Sequence, residues 1–253
     1  MSDKNEPRVL LLDIETLPNT VTSWGLKVDG YLSHDNILEE RSIVCASWKW
    51  LGGGQVHSAS VLTHRSKDKE IPDLGVLRKL HGVMSEADCL VAHNGDRFDV
   101  PWIMARMVLT DLPPLRPVPT IDTKKIAKSR FLFNSNRLDY LGKYLKVGRK
   151  IETDFGLWLE AMKGSRKAIE KMVVYNREDV RLLERVYLKL RPYVPARLNM
   201  SHWSNDNRAC PSCGEAALES RGIGMNRVST YRRMQCRACR AWSSMPMNSK
   251  VAR

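Results

Sequence analysis

Apolar and polar positions alternate along the chain in two distinct rhythms. Residues 8–14 (RVLLLDI) are a short continuous apolar run, the pattern of a strand covered on both faces. Residues 42–50 (SIVCASWKW) and 55–62 (QVHSASVL) read as two further strands, joined through Gly52-Gly53-Gly54 as a loose hairpin. Residues 73–86 carry helical spacing with Asp73 as the expected cap, and 89–93 (CLVAH) read as another buried strand. A helix is predicted over 99–110, with Pro101 tolerated in its first turn. The stretch 111–120 holds four prolines and is predicted as a loop. Helical segments follow near 123–128, 137–145 and 154–162. The longest periodic stretch, 165–190, stops before Pro192. Strands first and mostly helices later, with strand–helix–strand between them, predict an α/β domain with a mixed sheet.

Past Pro195 the pattern breaks. Residues 196–207 are polar with no sustained period and read as a linker, and 208–253 as a small separate module. Charge shifts with it. The 253 residues carry 41 Lys+Arg against 28 Asp+Glu, net +13. Residues 193–253 hold ten basic and three acidic residues, about half of that excess in a quarter of the chain. Such a balance favours a polyanionic partner, nucleic acid first. No apolar run approaches the ~18–20 residues of a membrane span. The opening MSDKNEPRVLLLDIE does not have the build of a signal peptide, so a reducing, cytoplasmic setting is expected.

Three groups of residues carry candidate chemistry. Asp13 and Glu15 are two apart on the first strand and so share a face. Adjacent like charges at the end of a buried run are costly unless something positive lies between them, and a divalent cation meets that need. Read alone, the strand could equally end at Asp13 with both acids in solvent. Asn94–Asp99 (NGDRFD) joins a predicted strand to a predicted helix, a common place for ligand sites; Asp99 is either a ligand or a helix cap. Tyr175 and Asp179 share a face of the longest helix, near its apolar stripe. Asp122 reads as a helix cap or as an acid behind the ligands, and His93 as structural. Lys124, Lys125 and Lys128 read as a solvated helix face or as a basic run toward a substrate.

Taken in order, D-x-E, N-x-x-x-F-D and Y-x-x-x-D resemble the DEDD exonuclease superfamily, in its tyrosine-bearing branch. The phrasing DIETLP, AHNGDRFDVP, TIDTKKIAK and YNREDV is similar to stand-alone relatives of family-B polymerase proofreading domains. The resemblance covers residues 8–190 and implies an RNase H-like mixed sheet flanked by helices. It implies that Asp13, Glu15, Asp99 and Asp179 hold two Mg²⁺ or Mn²⁺ for 3′→5′ hydrolysis of strand ends, with Asp13 bridging. Two metals stabilise both the attacking and the leaving oxygen of such a displacement. Tyr175 is a poor base near neutral pH, since free tyrosine titrates near ~10, so its implied role is to orient the attacking water. Leu17 is expected to wedge against the terminal base or to pack in the core. Asn94 is expected to touch the substrate strand or to hold its loop. Single-stranded DNA ends are the expected substrate and a DNA polymerase or other replication protein a candidate partner. An RNA-processing exonuclease and a non-catalytic binding protein remain the alternatives.

Cys210-x-x-Cys213 and Cys236-x-x-Cys239 have the spacing of a four-thiolate site for one structural Zn²⁺. Cys-Pro-Ser-Cys-Gly resembles the first knuckle of a zinc ribbon, whereas in the second knuckle Arg240 stands where glycine often sits. Arg227, Arg232 and Arg233, with Tyr231 and Trp242 among them, are expected to hold nucleic acid, with protein docking as the competing use.

Overall fold

The computed structural model describes residues 7–25, 27, 30–194, 199–204, 206 and 208–247. Its first half builds a five-stranded sheet from β1 (Val9–Thr16), β4 (Ile43–Trp50), β5 (His57–Ser60), β6 (Cys89–Ala92) and β7 (Thr120–Asp122). A minor hairpin of β2 (Thr20–Val21) and β3 (Ile37–Glu39) lies between the first two. The strand order is β5-β4-β1-β6-β7. β4 runs antiparallel to β1 and β5, and β6 runs parallel to β1 and β7. The sheet is therefore mixed, as the strand–helix pattern predicts. Helices α1 (Leu74–Ser85), α2 (Asp99–Met107), α3 (Thr123–Arg130), α4 (Leu138–Tyr144), α5 (Phe155–Met162) and α6 (Arg166–Leu190) flank it.

The first four residues of β1, Val9 to Leu12, are all apolar because both faces of the strand are covered there. Leu10, Leu12 and Ile14 enter a core with Val76, Leu77 and Leu80 of α1 and Ile103 of α2. Val9 and Leu11 enter the opposite core with Val180, Leu183 and Val186 of α6 and Leu141 of α4. Strand alternation then carries Asp13 and Glu15 onto the α6 side at the far end of the same row. The site thus forms where a buried hydrophobic row runs out and acids continue it.

Two sequence expectations change. Asp73 immediately precedes α1 but makes no capping bond from its side chain. Its buried carboxylate instead accepts from Ile43 N (2.9 Å) and takes Arg106 bidentately at 2.7 and 3.0 Å. A buried acid gains more from a fixed guanidinium than from a cap open to water. The proline-rich segment ends in a three-residue strand, since Thr120–Asp122 pairs with β6 before α3 begins.

The C-terminal part forms a three-stranded antiparallel sheet in the order β10-β9-β8, from β8 (Leu218–Met225), β9 (Thr230–Cys236) and β10 (Trp242–Pro246). Its small core holds Cys210, Cys236, Cys239, Leu218, Met234 and Ala241. Part of the expected linker lies outside the described residues. Of the rest, Met200 is buried against the α6 core, and its N–H donates to Pro211 C=O at 2.9 Å.

Candidate active site and metal centres

Three elements converge at the end of β1. The strand supplies Asp13 and Glu15, α6 supplies Tyr175, Asn176 and Asp179, and the start of α2 supplies Asp99. Carboxylate oxygens of Asp13, Glu15 and Asp179 all lie within 4.8 Å of one another. Asp99 stands outside that tight triad. Its Oδ1 accepts from Ile14 N at 3.0 Å, which joins the start of α2 to β1, and its charge acts on Asp13.

The loop that delivers Asp99 is held from below. Asp122 caps α3 through Lys124 N (2.9 Å) and Lys125 N (3.2 Å), as its sequence position suggests. The same carboxylate accepts from Asn94 N (3.0 Å) and Asp96 N (3.4 Å). Asn94 is left-handed, with φ 71°, and its carbonyl accepts from Arg97 N and Phe98 N. A Cβ at Gly95 would come 2.3 Å from the Ala92 Cβ, so only glycine fits there. His93 bridges Thr123 Oγ1 (2.9 Å) and Asn136 C=O (3.0 Å). Burial lowers its pKa to about 4, so it is neutral and structural.

Burial raises the pKa of every acid in the cluster. Asp13 is held well above the usual carboxylate range by burial and by the charges of Asp99, Glu15 and Asp179. Burial pushes Glu15 up to about 8, although Lys150 opposes the shift. Asp99 is pushed up to about 7 by burial against the backbone N–H groups it accepts from. Asp179 is raised by burial and restrained by Lys150 and by Tyr175. Such crowding of carboxylates calls for cations. One buried oxygen of Asp179, Oδ1, has no hydrogen-bond partner among the described residues, so a ligand lone pair is left over. The residues present therefore fit a divalent metal bound by oxygen donors.

Two residues beyond the sequence motifs belong to this site. Lys150, on the segment between α4 and α5, pairs with Asp179 Oδ2 and donates to the Tyr175 hydroxyl at 2.9 Å. Burial alone would lower its pKa, but Asp179 and Asp13 outweigh that and hold it charged. Lys150 N donates to Asp139 Oδ1 at 3.0 Å, which fixes the segment. Nothing in the local sequence marks this lysine. Asn176 is fully buried and donates from Nδ2 to Asp13 Oδ2 at 2.6 Å. It did carry a signal, as a polar residue four positions after Met172 in the apolar stripe of α6.

Tyr175 has its pKa raised to about 12 by burial and the nearby Asp179. It is thus no general base near neutral pH. Its ring meets Trp158 edge-on, 6.3 Å between centroids. Trp158 also lines a cleft of about 480 Å³, together with Thr16, Pro18, Arg41, Thr153, Asp154 and Phe155. Leu17, between the lining residues Thr16 and Pro18, is half-buried and packs against the α5–α6 cluster.

The second centre is made of thiols. Sγ atoms of Cys210 and Cys239 are 3.7 Å apart, those of Cys213 and Cys236 are 3.8 Å apart, and all four lie within 4.8 Å. Zn–S bonds of about 2.3 Å give a tetrahedron with an edge of about 3.8 Å, so the four fit Zn²⁺. Hydrogen bonds from Cys213 and Cys239 and from the backbone favour the thiolate at Cys210. The two knuckles are built alike. Gly214 N donates to Cys210 C=O and Arg240 N to Cys236 C=O, both at 2.8 Å. Gly214 and Arg240 take φ 84° and 63°, so Arg240 occupies a glycine conformation. Of the expected nucleic-acid contacts, Arg227 lies exposed in the β8–β9 turn, while Arg232 and Arg233 are neighbours on β9 and face opposite ways.

A family model described as the RNase_H superfamily matches residues 50–191. The chain belongs to that superfamily, and with its two candidate metal sites it has the architecture of a nucleic-acid-processing hydrolase. The structure is similar to that of the family B DNA polymerase from the hyperthermophilic archaeon Pyrobaculum calidifontis, with a TM-score of 0.51 and 14% identity. That likeness covers 90% of this chain and 32% of that one, so the chain spans about a third of that polymerase's length. At this identity it speaks for the fold alone. A comparison with curated proteins yields no match. No helix among the described residues is long and apolar enough to cross a membrane.

Proposed function

We propose that the chain is a metal-dependent 3′→5′ exonuclease acting on single-stranded nucleic-acid ends, with DNA as the substrate. In this reading residues 1–195 form the exonuclease domain, 196–207 a linker and 208–253 a zinc ribbon. The observation that carries it is the acid cluster, with three carboxylates within 4.8 Å of one another, Asp99 beside them and a buried oxygen on Asp179 that has no hydrogen-bond partner among the described residues. Asp13, Glu15, Asp99 and Asp179 would hold two Mg²⁺ or Mn²⁺. Bound there, the metals supply a nucleophile at neutral pH and offset charge on the leaving oxygen.

The chain's own residues do the positioning. Asn176 fixes the orientation of Asp13, and Asp122 fixes the loop that carries Asp99. Lys150 donates to the Tyr175 hydroxyl and so fixes the position of the oxygen that would orient the attacking water. The cleft lined by Trp158 receives the terminal nucleotide, and Leu17 and Asn94 are proposed to contact the substrate strand. The four-cysteine centre, with all four positions taken by protein, holds its fold and takes no part in the chemistry.

Degradation of single strands labelled at the 5′ or the 3′ end tests the proposal. With Mg²⁺, a 5′ label should pass through a ladder of progressively shorter strands, and a 3′ label should be released at once as a mononucleotide. Internal cuts, or the ladder appearing with the 3′ label instead, would contradict it.

A further inference from the structure

The C-terminal sheet has two unlike faces. Leu218, Met234, Cys236 and Met245 turn inward on the thiol centre. Alternation sends Tyr231, Arg233 and Gln235 of β9 the other way. Register sets Tyr231 beside Gly224 and Pro246, Arg233 beside Ser244, and Gln235 beside Trp242. β8 carries glycines where these side chains lie. A Cβ at Gly224 would come 2.6 Å from the Tyr231 ring, and one at Gly222 would come 3.5 Å from Arg233 Nη2. Tyr231 and Arg233 therefore lie across β8 instead of standing away from it. Trp242 is 55% exposed on the far strand. Charge on this face is uncompensated at one point. Arg221 and Arg237 both pair with Glu219, at 3.0 and 3.1 Å, whereas no ion pair among the described residues involves Arg233.

We propose that this face, with Tyr231, Arg233 and Trp242, is a binding site for single-stranded nucleic acid. An exposed tryptophan ring and a half-buried tyrosine ring, beside a guanidinium with no ion pair among the described residues, match what a single strand offers, which is unpaired base faces and a regular row of phosphates. The two rings take bases by stacking and Arg233 takes a phosphate. The net charge of +7 over residues 193–253, ten basic against three acidic, draws a polyanion to this end of the chain. Duplex is disfavoured because paired bases hide their faces. Arg232 lies on the inward side of the same strand and takes no part. The inference rests on the reading of the chain as acting on nucleic-acid ends. It concerns binding alone, so it is measured apart from hydrolysis.

The test uses the zinc-loaded full chain without added Mg²⁺ and without chelator, titrated into a fluorescein-labelled short homopyrimidine strand and followed by anisotropy. Zinc content of each variant reports that the sheet is folded. Trp242→Ala should weaken binding about 5–100-fold, the scale of one lost base stack, and Trp242→Phe should restore most of it. Arg233→Ala should reduce the salt slope of log K by about 0.7, one phosphate contact on a single strand. Arg232→Ala should change affinity at most about twofold, a screened long-range effect only. The proposal is overturned if Trp242→Ala and Arg233→Ala keep their zinc and bind as the wild type does. It is equally overturned if Arg232→Ala costs as much as Arg233→Ala, or if duplex binds as tightly as the single strand. A chain that binds in this way but does not cut with Mg²⁺ would sink the nuclease reading and leave this one standing.

Discussion

At Asp179 one carboxylate oxygen takes Lys150 and the other has no hydrogen-bond partner among the described residues. That imbalance describes the whole cluster, in which several acids share one ammonium. Lys150 also holds the Tyr175 hydroxyl, so two substitutions should act on the same geometry. Tyr175→Phe removes an orienting hydroxyl and spares the carboxylates. Its kcat should fall about 10–10³-fold, the scale of one positioned catalytic group. Lys150→Ala should fall into the same range, and the double variant should lose little more than either alone, because the two residues act as a unit. Steady-state rates of the three variants check this, and a fully additive loss would separate their roles. Glu15 supplies a test without turnover. An acid whose folded pKa, here about 8, lies above the ordinary 4.5 binds its proton more tightly when folded. It therefore costs the metal-free protein stability progressively as pH rises from 4.5 to about 8. Glu15→Gln should be near neutral at the acid end and stabilising at pH 8 by an amount on the order of 2–4 kcal/mol. Denaturant unfolding across that range, with Mg²⁺ omitted, reads the difference. The acids themselves are legible in the sequence because alternation on β1 and helical spacing on α6 give each a face. Lys150 is not, since it lies on a loop and reaches the site only through tertiary folding.

Elements explain which parts of the fold are readable. β1, β4, β6 and α6 are long or fully apolar, so periodicity and burial agree on them. The strand Thr120–Asp122 is three residues at the sheet edge, directly after a proline-rich stretch. Its pairing with β6 is set by the neighbour and leaves no period to read. The hairpin of β2 and β3 is as short and equally silent. Asp73 shows the opposite failure, a sound local cap signal overridden by a buried arginine that only tertiary folding supplies. In the second knuckle the departure from pattern is real. Arg240 takes the left-handed conformation that Gly214 takes in the first, with the same hydrogen bond. A side chain there costs about 1 kcal/mol, so Arg240→Gly should raise the unfolding midpoint of the ribbon by a corresponding amount. Unfolding followed by zinc release measures it. An unchanged midpoint would mean that the arginine makes compensating contacts.

Across the whole molecule, stability comes from two sources. The larger part buries its own cores on both faces of the sheet. The smaller has little core beyond the thiols, so with Zn²⁺ bound its folding energy would be chiefly the metal's. Cys236→Ser should therefore abolish zinc binding and unfold residues 208–245, while the larger part keeps its far-ultraviolet signature and cooperative unfolding. Limited proteolysis should then cut within the ribbon first, and cuts spread evenly over both parts would deny their independence. The central claim is that the acids at the end of β1 are a divalent-metal centre. Mn²⁺ titration of the zinc-loaded chain, with free Mn²⁺ followed by its electron paramagnetic resonance signal, tests this most directly. The wild type should remove Mn²⁺ from solution, more tightly as pH rises because bound protons must leave. Asp13→Asn, which keeps an acceptor for Asn176, should leave the Mn²⁺ free. A wild type that binds no Mn²⁺ at pH 8, or an Asp13→Asn variant that binds it equally well, would contradict the account.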